Sequence, residues 1–205
     1  YSSNAARIMI IMGLIIFACF HVRSTFDNHE IDVFLSRPIT RKNLVISYWA
    51  GFANVAFLHA SATIILLALQ GVMNWEGFFV WSLSLLLECW LAVAIALFAS
   101  FTLRSAVSSV LVSIGIYTMA RMVAFFVATS QSGASFEISW VNVLLRYGIK
   151  AASILVPRLD LFSNSDWLIS GVKNVTDLKL FVLQAAIFIP LLICATIADF
   201  KRKEF

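Results

Sequence analysis

The sequence predicts an all-α membrane protein, a polytopic helical bundle with about five membrane spans. The 205-residue chain is 61% hydrophobic and 13% charged, with a mean hydropathy of +0.92. A soluble domain of this size does not need so much apolar surface. The apolar residues also form continuous runs close to the roughly 20 residues that a helix needs to cross the hydrocarbon core. A transmembrane barrel would show strands of about ten residues with alternating polarity, so helices are favoured.

Five apolar runs are candidate spans, in the order 8–22 (completed by the turn from Asn4), 44–70, 78–103, 106–129 and 180–198. Residues 130–179, which precede the last run, are less uniform. Within them, residues 136–156 are apolar but interrupted by charges, which is typical of a re-entrant or interfacial outer segment. The pattern shows no second domain, so residues 1–205 are predicted to form a single transmembrane domain.

Positively charged residues near the ends of the spans predict the orientation, because Lys and Arg are enriched in cytoplasmic loops. They occur after the first run, between the third and fourth runs, and in the tail (Arg23, Arg37, Arg41, Lys42, Arg104, Lys201, Arg202 and Lys203). These three regions are therefore predicted to be cytoplasmic. The net charge of +4 is attributed to this orientation, and no nucleic-acid partner is expected.

A short charged segment, residues 27–43, lies between the first two spans. Asp27 with Glu30 three residues later is a near match to the motif that begins helices, and an apolar stripe follows it. Pro38 ends that helix, and Thr40 can cap the next one. From these residues alone, the segment is either a connector anchored at the lipid headgroups or an element that a soluble partner binds.

A resemblance to a known family favours the second interpretation. Leu35-Ser36-Arg37-Pro38-Ile39-Thr40-Arg41, with the acidic Glu30 before it and a hydrophobic helix after it, resembles the cytoplasmic coupling segment of ABC-2-type permeases. These are the membrane subunits of ATP-driven exporters. Three further spans, a broken outer segment before the last span, and the basic tail fit the same family. That family has six spans, and its first span would lie before Tyr1. The resemblance implies that an ATPase contacts Glu30, Phe34, Leu35, Arg37 and Arg41.

The resemblance also implies the partners. The chain has no Gly-rich phosphate loop of the Walker type, so it is expected to be a transport subunit and not an enzyme. ATP and Mg²⁺ would be bound by a separate nucleotide-binding ATPase subunit, and this chain would hold no cofactor or metal. Two permease subunits, identical or homologous, would assemble with two ATPase subunits among the lipids of the bacterial inner membrane.

Three ionisable residues, His59, Glu88 and Arg121, lie deep in apolar runs, where charge is expensive and usually faces the interior of a bundle. At 1.5 Å per residue, each is about 22 Å from the cytoplasmic end of its span. Glu88 and Arg121 are therefore predicted to approach each other, with His59 on a neighbouring face. A structural ion pair, a polar path or gate, and a catalytic group all fit this pattern. The alternative function is a membrane-embedded enzyme using His59 and Glu88 as acid and base.

Other residues are given ordinary roles. Arg7 is predicted to extend its side chain to the outer interface, and an aromatic belt is predicted at the outer boundary from Trp75, Trp81, Trp140 and Trp167. The three cysteines have no disulfide or metal-ligand spacing.

Overall fold

The computed structural model describes residues 2–28, 40–71, 74–131, 157, 159–162, 167–170 and 175–202. Every regular element among these residues is a helix, so the predicted all-α class is confirmed. The helices are α1 (Ser2–Asp27), α2 (Arg41–Leu69), α3 (Trp75–Thr102), α4 (Ala106–Gln131), the short α5 (Trp167–Ser170) and α6 (Val175–Arg202), with a 3-10 turn at Leu159–Phe162 before α5.

Four of these helices are long and apolar enough to cross a membrane, as predicted for the first, second, third and last runs. Their membrane-length portions are Ser3–Asp27, Arg41–Leu69, Trp75–Thr102 and Leu178–Arg202. The fourth run also forms a helix, α4, in which Ala106–Met122 is a shorter apolar stretch. The chain is therefore a multi-pass helical membrane protein. The re-entrant segment predicted within residues 136–156 lies outside the described residues and stays a prediction.

The helix ends follow local sequence signals, with one exception. Thr40 caps α2 as predicted, since its side chain accepts a hydrogen bond from the Asn43 backbone N–H at 3.3 Å. Asn74 caps α3 in the same way through Gly77 at 3.2 Å. The prediction that Asp27 begins a new helix is wrong: Asp27 is the last residue of α1. There it pairs with Arg23, one turn earlier, at 2.9 Å, and this local pair extends the helix past the apolar run.

Helix α3 is the centre of the bundle and packs against α1, α2, α4 and α6. Its residues 91–97 are all buried, although helix periodicity would expose some of them in a helix with one free face. Small side chains, among them Ala92, Ala96 and Ser100, let neighbouring helices approach closely, as is usual between membrane helices. A polar side chain on α3 is therefore held away from lipid.

At one end of the bundle, called here the basic end, arginine side chains form hydrogen bonds between the ends of different helices. Arg23 on α1 donates to the Leu103 carbonyl after α3 at 3.2 Å, and Arg41 on α2 donates to the Phe200 carbonyl of α6 at 3.1 Å. Phe26, Phe101 and Phe200 pack edge to face beside these bonds. The regions predicted to be cytoplasmic thus share one end of the bundle, and its assignment to the cytoplasm stays a prediction.

Candidate functional site

The Glu88 side chain is the centre of a buried polar cluster, called here the Glu88 cluster (Arg7, Ser84, Glu88, Tyr117 and Arg121). Glu88 lies on α3 and its side chain is fully buried. Its Oε2 atom accepts a hydrogen bond from Arg7 Nη1 at 2.9 Å, and its Oε1 atom accepts one from Arg121 Nη1 at 2.8 Å. The predicted approach of Glu88 and Arg121 is confirmed, and Arg7 is an additional partner.

Arg7 corrects a prediction. Its side chain does not extend to the outer interface; it is fully buried between α1 and α3. Besides Glu88, it donates to the carbonyls of Phe162 and Trp81 and to Ser84 Oγ, the last at 3.0 Å. Its guanidinium also lies over the Trp81 ring, 4.8 Å from the centroid. Four acceptors and an aromatic face replace the water that a charged group loses on burial.

Trp81 consequently corrects the aromatic-belt prediction, because it is fully buried under Arg7. Trp167 is also buried, at 4% exposure, whereas Trp75 is 61% exposed at the start of α3. Trp140 lies outside the described residues. A belt residue has to face the lipid headgroups, so Trp81 and Trp167 are packing residues.

Arg121 and Tyr117 complete the cluster from α4. They are one helical turn apart, and the Tyr117 hydroxyl donates to Glu88 Oε1 at 2.9 Å while it accepts from Arg121 Nη1 at 2.6 Å. The side chain of Arg121 is 19% exposed, whereas those of Glu88 and Arg7 are 0% exposed. The contact to α4 is therefore the more accessible side of the cluster.

The charges of the cluster do not cancel. Arg7 and Arg121 bring two positive charges to the single negative charge of Glu88. Burying an ion costs several kcal/mol, which is offset only when the opposite charge and further hydrogen bonds are well placed. Arg7, on α1, has such partners from α3 and the 3-10 turn. The geometry is that of an interhelical latch, joining α1 to α3 and α3 to α4.

His59 does not belong to this cluster, and the prediction that it is a buried polar residue beside Glu88 is wrong. It is exposed on α2, where Nδ1–H donates to the Val55 carbonyl of its own helix at 2.9 Å. The depth of a residue along a helix does not determine the face on which its side chain lies. An acid–base pair of His59 and Glu88 therefore has no support, since the carboxylate of Glu88 is held by two arginines and a tyrosine.

Of the predicted coupling residues, Arg41 alone is described; Glu30, Phe34, Leu35 and Arg37 lie outside the described residues. Arg41 donates to the carbonyls of Phe200, at 3.1 Å, and Lys201, at 3.4 Å, near the end of α6. Its guanidinium also lies 5.7 Å from the Phe200 ring centroid. A cation is favourable at this position because the carbonyls at a helix C-terminus carry partial negative charge. Arg41 therefore connects the end of the charged segment to α6.

A signal for Arg7 was present in the sequence. Arg23 contacts the Leu103 carbonyl at the basic end, and Arg7 contacts Glu88. Arg7 lies 16 residues from Arg23 along α1, and Glu88 lies 15 residues from Leu103 along α3. At 1.5 Å per residue these distances are about 24 Å and 22 Å. Measured from the basic end, Arg7 therefore lies at the same depth as Glu88. Ser84 and Tyr117 gave no such signal, because hydroxyl residues are common in membrane helices.

Comparison with known proteins adds no identification. No protein-family model matches the chain, and no curated protein matches it. The fold and the Glu88 cluster define a helical membrane protein whose central helix carries a buried carboxylate bound by two arginines.

Proposed function

We propose that the chain is the membrane permease subunit of an ABC-2-type exporter, coupled to a separate ATPase that binds ATP and Mg²⁺. The observation that carries the proposal is the position of the charged segment. Helix α1 ends at Asp27 and α2 begins at Arg41, both at the basic end of a bundle of membrane-length helices, and the charged segment joins them in sequence. The sequence of this segment resembles the element that an ATPase contacts in that family.

The helices that leave this segment are attached to the rest of the bundle. Arg23, in the last turns of α1, donates to the Leu103 carbonyl, and Arg41, at the start of α2, donates to the Phe200 carbonyl. A displacement of the segment by an ATPase would therefore act on α3 and α6 as well as on α1 and α2. Motion of packed rigid helices is an established way in which membrane proteins and other switches change state.

The Glu88 cluster fits the same function as a latch. The Arg7 contact is fully buried, while the Arg121 contact is partly exposed. Helices α1 and α3 would therefore move as one unit, and α4 would separate from them when the Glu88–Arg121 contact exchanges with water or substrate. Ionisable residues that face the interior of a membrane bundle commonly mark such paths.

The family assignment leads to the cellular setting. The working unit would contain two permease subunits and two ATPase subunits in the bacterial inner membrane, with the basic end towards the cytoplasm. Because the ATPase is a cytoplasmic protein, the proposal requires residues 27–43 to face the same side.

Co-purification of the ATPase tests the proposal. The tagged chain is purified from its native membrane, and an ATPase with a Walker-type phosphate loop is identified by mass spectrometry and by ATP hydrolysis. Loss of one partner of a buried interface pair costs about 2–5 kcal/mol, so Glu30→Lys with Arg37→Glu should reduce recovery of the ATPase at least tenfold.

The matched control reverses an acid and a base at the other end of the bundle. Glu76 and Lys179 are both exposed, near the starts of α3 and α6. Glu76→Lys with Lys179→Glu should leave recovery of the ATPase unchanged. Wild-type chain that recovers no such ATPase, or equal recovery with both double variants, would contradict the proposed function.

A further inference from the structure

The two arginines of the Glu88 cluster use their hydrogen-bond donors differently. A guanidinium carries five N–H donors. Arg7 donates four hydrogen bonds from its two Nη atoms, to groups of α3 and the 3-10 turn. Arg121 donates two, both from Nη1, to Glu88 Oε1 and to the Tyr117 hydroxyl. Within the described part of the chain, the Nε–H and Nη2–H groups of Arg121 have no acceptor.

We propose that Arg121 binds an oxyanion, the carboxylate or phosphate group of a ligand, through Nε–H and Nη2–H. These donors lie in one plane along one edge of the guanidinium, and such an edge matches two oxygens of a carboxylate or phosphate. In a planar guanidinium this edge faces away from Nη1, and Nη1 is held by Glu88 and Tyr117. The ligand would therefore be bound on the side of Arg121 opposite to Glu88, with the guanidinium between two anions.

The charge of the Glu88 cluster favours an anion. Arg7 and Arg121 bring two positive charges to the one negative charge of Glu88. A charge without compensation inside a membrane bundle is expensive, and unpaired N–H groups add to that cost because the hydrocarbon offers no acceptor. A bound monoanion neutralises the cluster and accepts the unused donors together. A chloride ion would bring the same charge with a single acceptor atom, so the unused edge favours an oxyanion.

The guanidinium of Arg121 is accessible from outside the bundle, whereas that of Arg7 is not. The side chain of Arg121 is 19% exposed and that of Arg7 is 0% exposed. On α4, Arg121 lies between Ala120, which is fully buried, and Met122, which is 44% exposed. Arg121 is therefore at the edge of the contact between α3 and α4, where a ligand reaches it without separating the two helices.

The inference goes beyond the proposed function, because it concerns binding by this chain alone and requires no ATPase. A soluble molecule and a lipid headgroup can supply the same oxyanion. Inorganic phosphate and phosphatidylglycerol are therefore the two probes, and chloride is the comparison anion.

Footprinting of the wild-type chain tests the site without a variant. The full chain in uncharged maltoside micelles is treated with phenylglyoxal, which modifies accessible guanidinium groups, and mass spectrometry compares Arg121 with the exposed Arg104. Phosphate, or phosphatidylglycerol added to the same micelles, should reduce the modification of Arg121 relative to Arg104 at least about fivefold, because a bidentate oxyanion covers the guanidinium edge.

The two probes distinguish the sources of the oxyanion. Protection of Arg121 by phosphate assigns a soluble ligand, and protection by phosphatidylglycerol alone assigns a lipid. Unchanged modification of Arg121 with both probes would overturn the inference, and so would equal protection by chloride.

Titration of the protecting probe then tests the donor edge itself. At constant chloride concentration, the probe should raise the thermal unfolding midpoint of the wild-type chain by at least about 2 °C, since a ligand of the folded state stabilises it. Arg121→Lys keeps the positive charge beside Glu88 but lacks the second pair of donors. Its Kd for the probe should be at least about tenfold higher.

Arg104→Lys is the matched control, because it is the same substitution at an exposed arginine outside the Glu88 cluster. It should bind the probe as wild type does, and the midpoints without the probe check that both variants fold. The same Kd for Arg121→Lys and wild type would show that positive charge alone attracts the anion and would overturn the inference.

Discussion

Arg7 and Arg121 bind the two oxygens of one carboxylate, that of Glu88, at 2.9 Å and 2.8 Å. They come from α1 and α4, so the carboxylate on α3 joins three helices. This arrangement carries one net positive charge, with the more exposed arginine on α4. It replaces the isolated Glu88–Arg121 pair predicted from the sequence and changes what each substitution should do.

Substitution of Glu88 should be strongly destabilising. Glu88→Gln leaves both guanidinium groups in the bundle without their shared counter-charge. Removing one partner of a buried ion pair costs about 3–5 kcal/mol. The measurement is the thermal unfolding midpoint of the purified chain in detergent, with exposed Glu76→Gln as control. Equal midpoints for the two variants would show that the Glu88 carboxylate does not stabilise the bundle.

Replacing the whole charged set should restore part of this loss. The sequence alone predicts that Glu88→Gln lowers stability more than Glu88→Gln with Arg121→Met does. The structure adds that this double variant still leaves Arg7 charged and fully buried. The triple variant, with Arg7→Met added, removes every charge of the cluster and should unfold at a higher temperature than the double variant. A lower unfolding temperature for the triple variant than for the double variant would mean that groups outside the Glu88 cluster stabilise the buried charge of Arg7.

The two arginines should differ in their effect on stability. Either Arg7→Met or Arg121→Met leaves one neutral ion pair, but Arg7→Met also leaves the Phe162 carbonyl without that donor. The Trp81 carbonyl still accepts a hydrogen bond from the Ser84 hydroxyl. An unsatisfied buried acceptor costs about 1–3 kcal/mol, so Arg7→Met should be the more destabilising by at least about 1 kcal/mol. Chemical denaturation measures both, with exposed Arg104→Met as control. A larger loss for Arg121→Met would contradict the assignment of Arg7 as the structural contact.

The residues before and after α2 are predicted to lie on opposite sides of the membrane, which cysteine labelling can test. Asn28 follows α1, and Glu76 is in the first turn of α3. In a Cys194→Ala background, which removes the exposed cysteine, Asn28→Cys should react with an impermeant maleimide only after the cells are opened. Glu76→Cys should react in intact cells. Labelling of both from the same side would contradict the predicted arrangement of spans.

The sequence was sufficient to predict the long helices and one contact of the Glu88 cluster, that between Glu88 and Arg121. Apolar runs of membrane length gave the class and four of the long helices, because a chain in lipid must satisfy its backbone hydrogen bonds within each helix. Equal depth gave the approach of Glu88 and Arg121. Depth does not give the rotation of a helix about its axis, which depends on packing with all neighbours. His59 was therefore placed inside the bundle although it lies on the outer face of α2.

Arg7 shows a second limit. A long basic side chain near a span end is usually able to reach water, and equal depth with Glu88 does not by itself show that Arg7 departs from that rule. The departure comes from the approach of Trp81, Ser84 and the 3-10 turn to α1, which supplies the acceptors for a buried guanidinium. Together with Arg7 these residues come from three separate parts of the chain, so their contact could not be predicted before the fold was known.

The Arg41 contact with the end of α6 yields the last prediction, which rests on the proposed function. Arg41→Met removes the bonds to the Phe200 and Lys201 carbonyls, a loss of about 1–3 kcal/mol for charged hydrogen bonds at this partly buried position. Spin labels on the exposed Cys194 of α6 and on an Ile46→Cys variant of α2, where Ile46 is 48% exposed, report the separation of the two helices.

In the wild-type complex with its ATPase, ATP and vanadate should shift this distance. Because Arg41 is also a predicted ATPase contact, recovery of the ATPase is measured first. In the Arg41→Met complexes that retain the ATPase the shift should be absent, because α6 would no longer follow the start of α2. Arg104→Met, an exposed arginine at the same end of the bundle, should behave as wild type. An ATP-dependent shift that persists in Arg41→Met would show that the motion reaches α6 by another route.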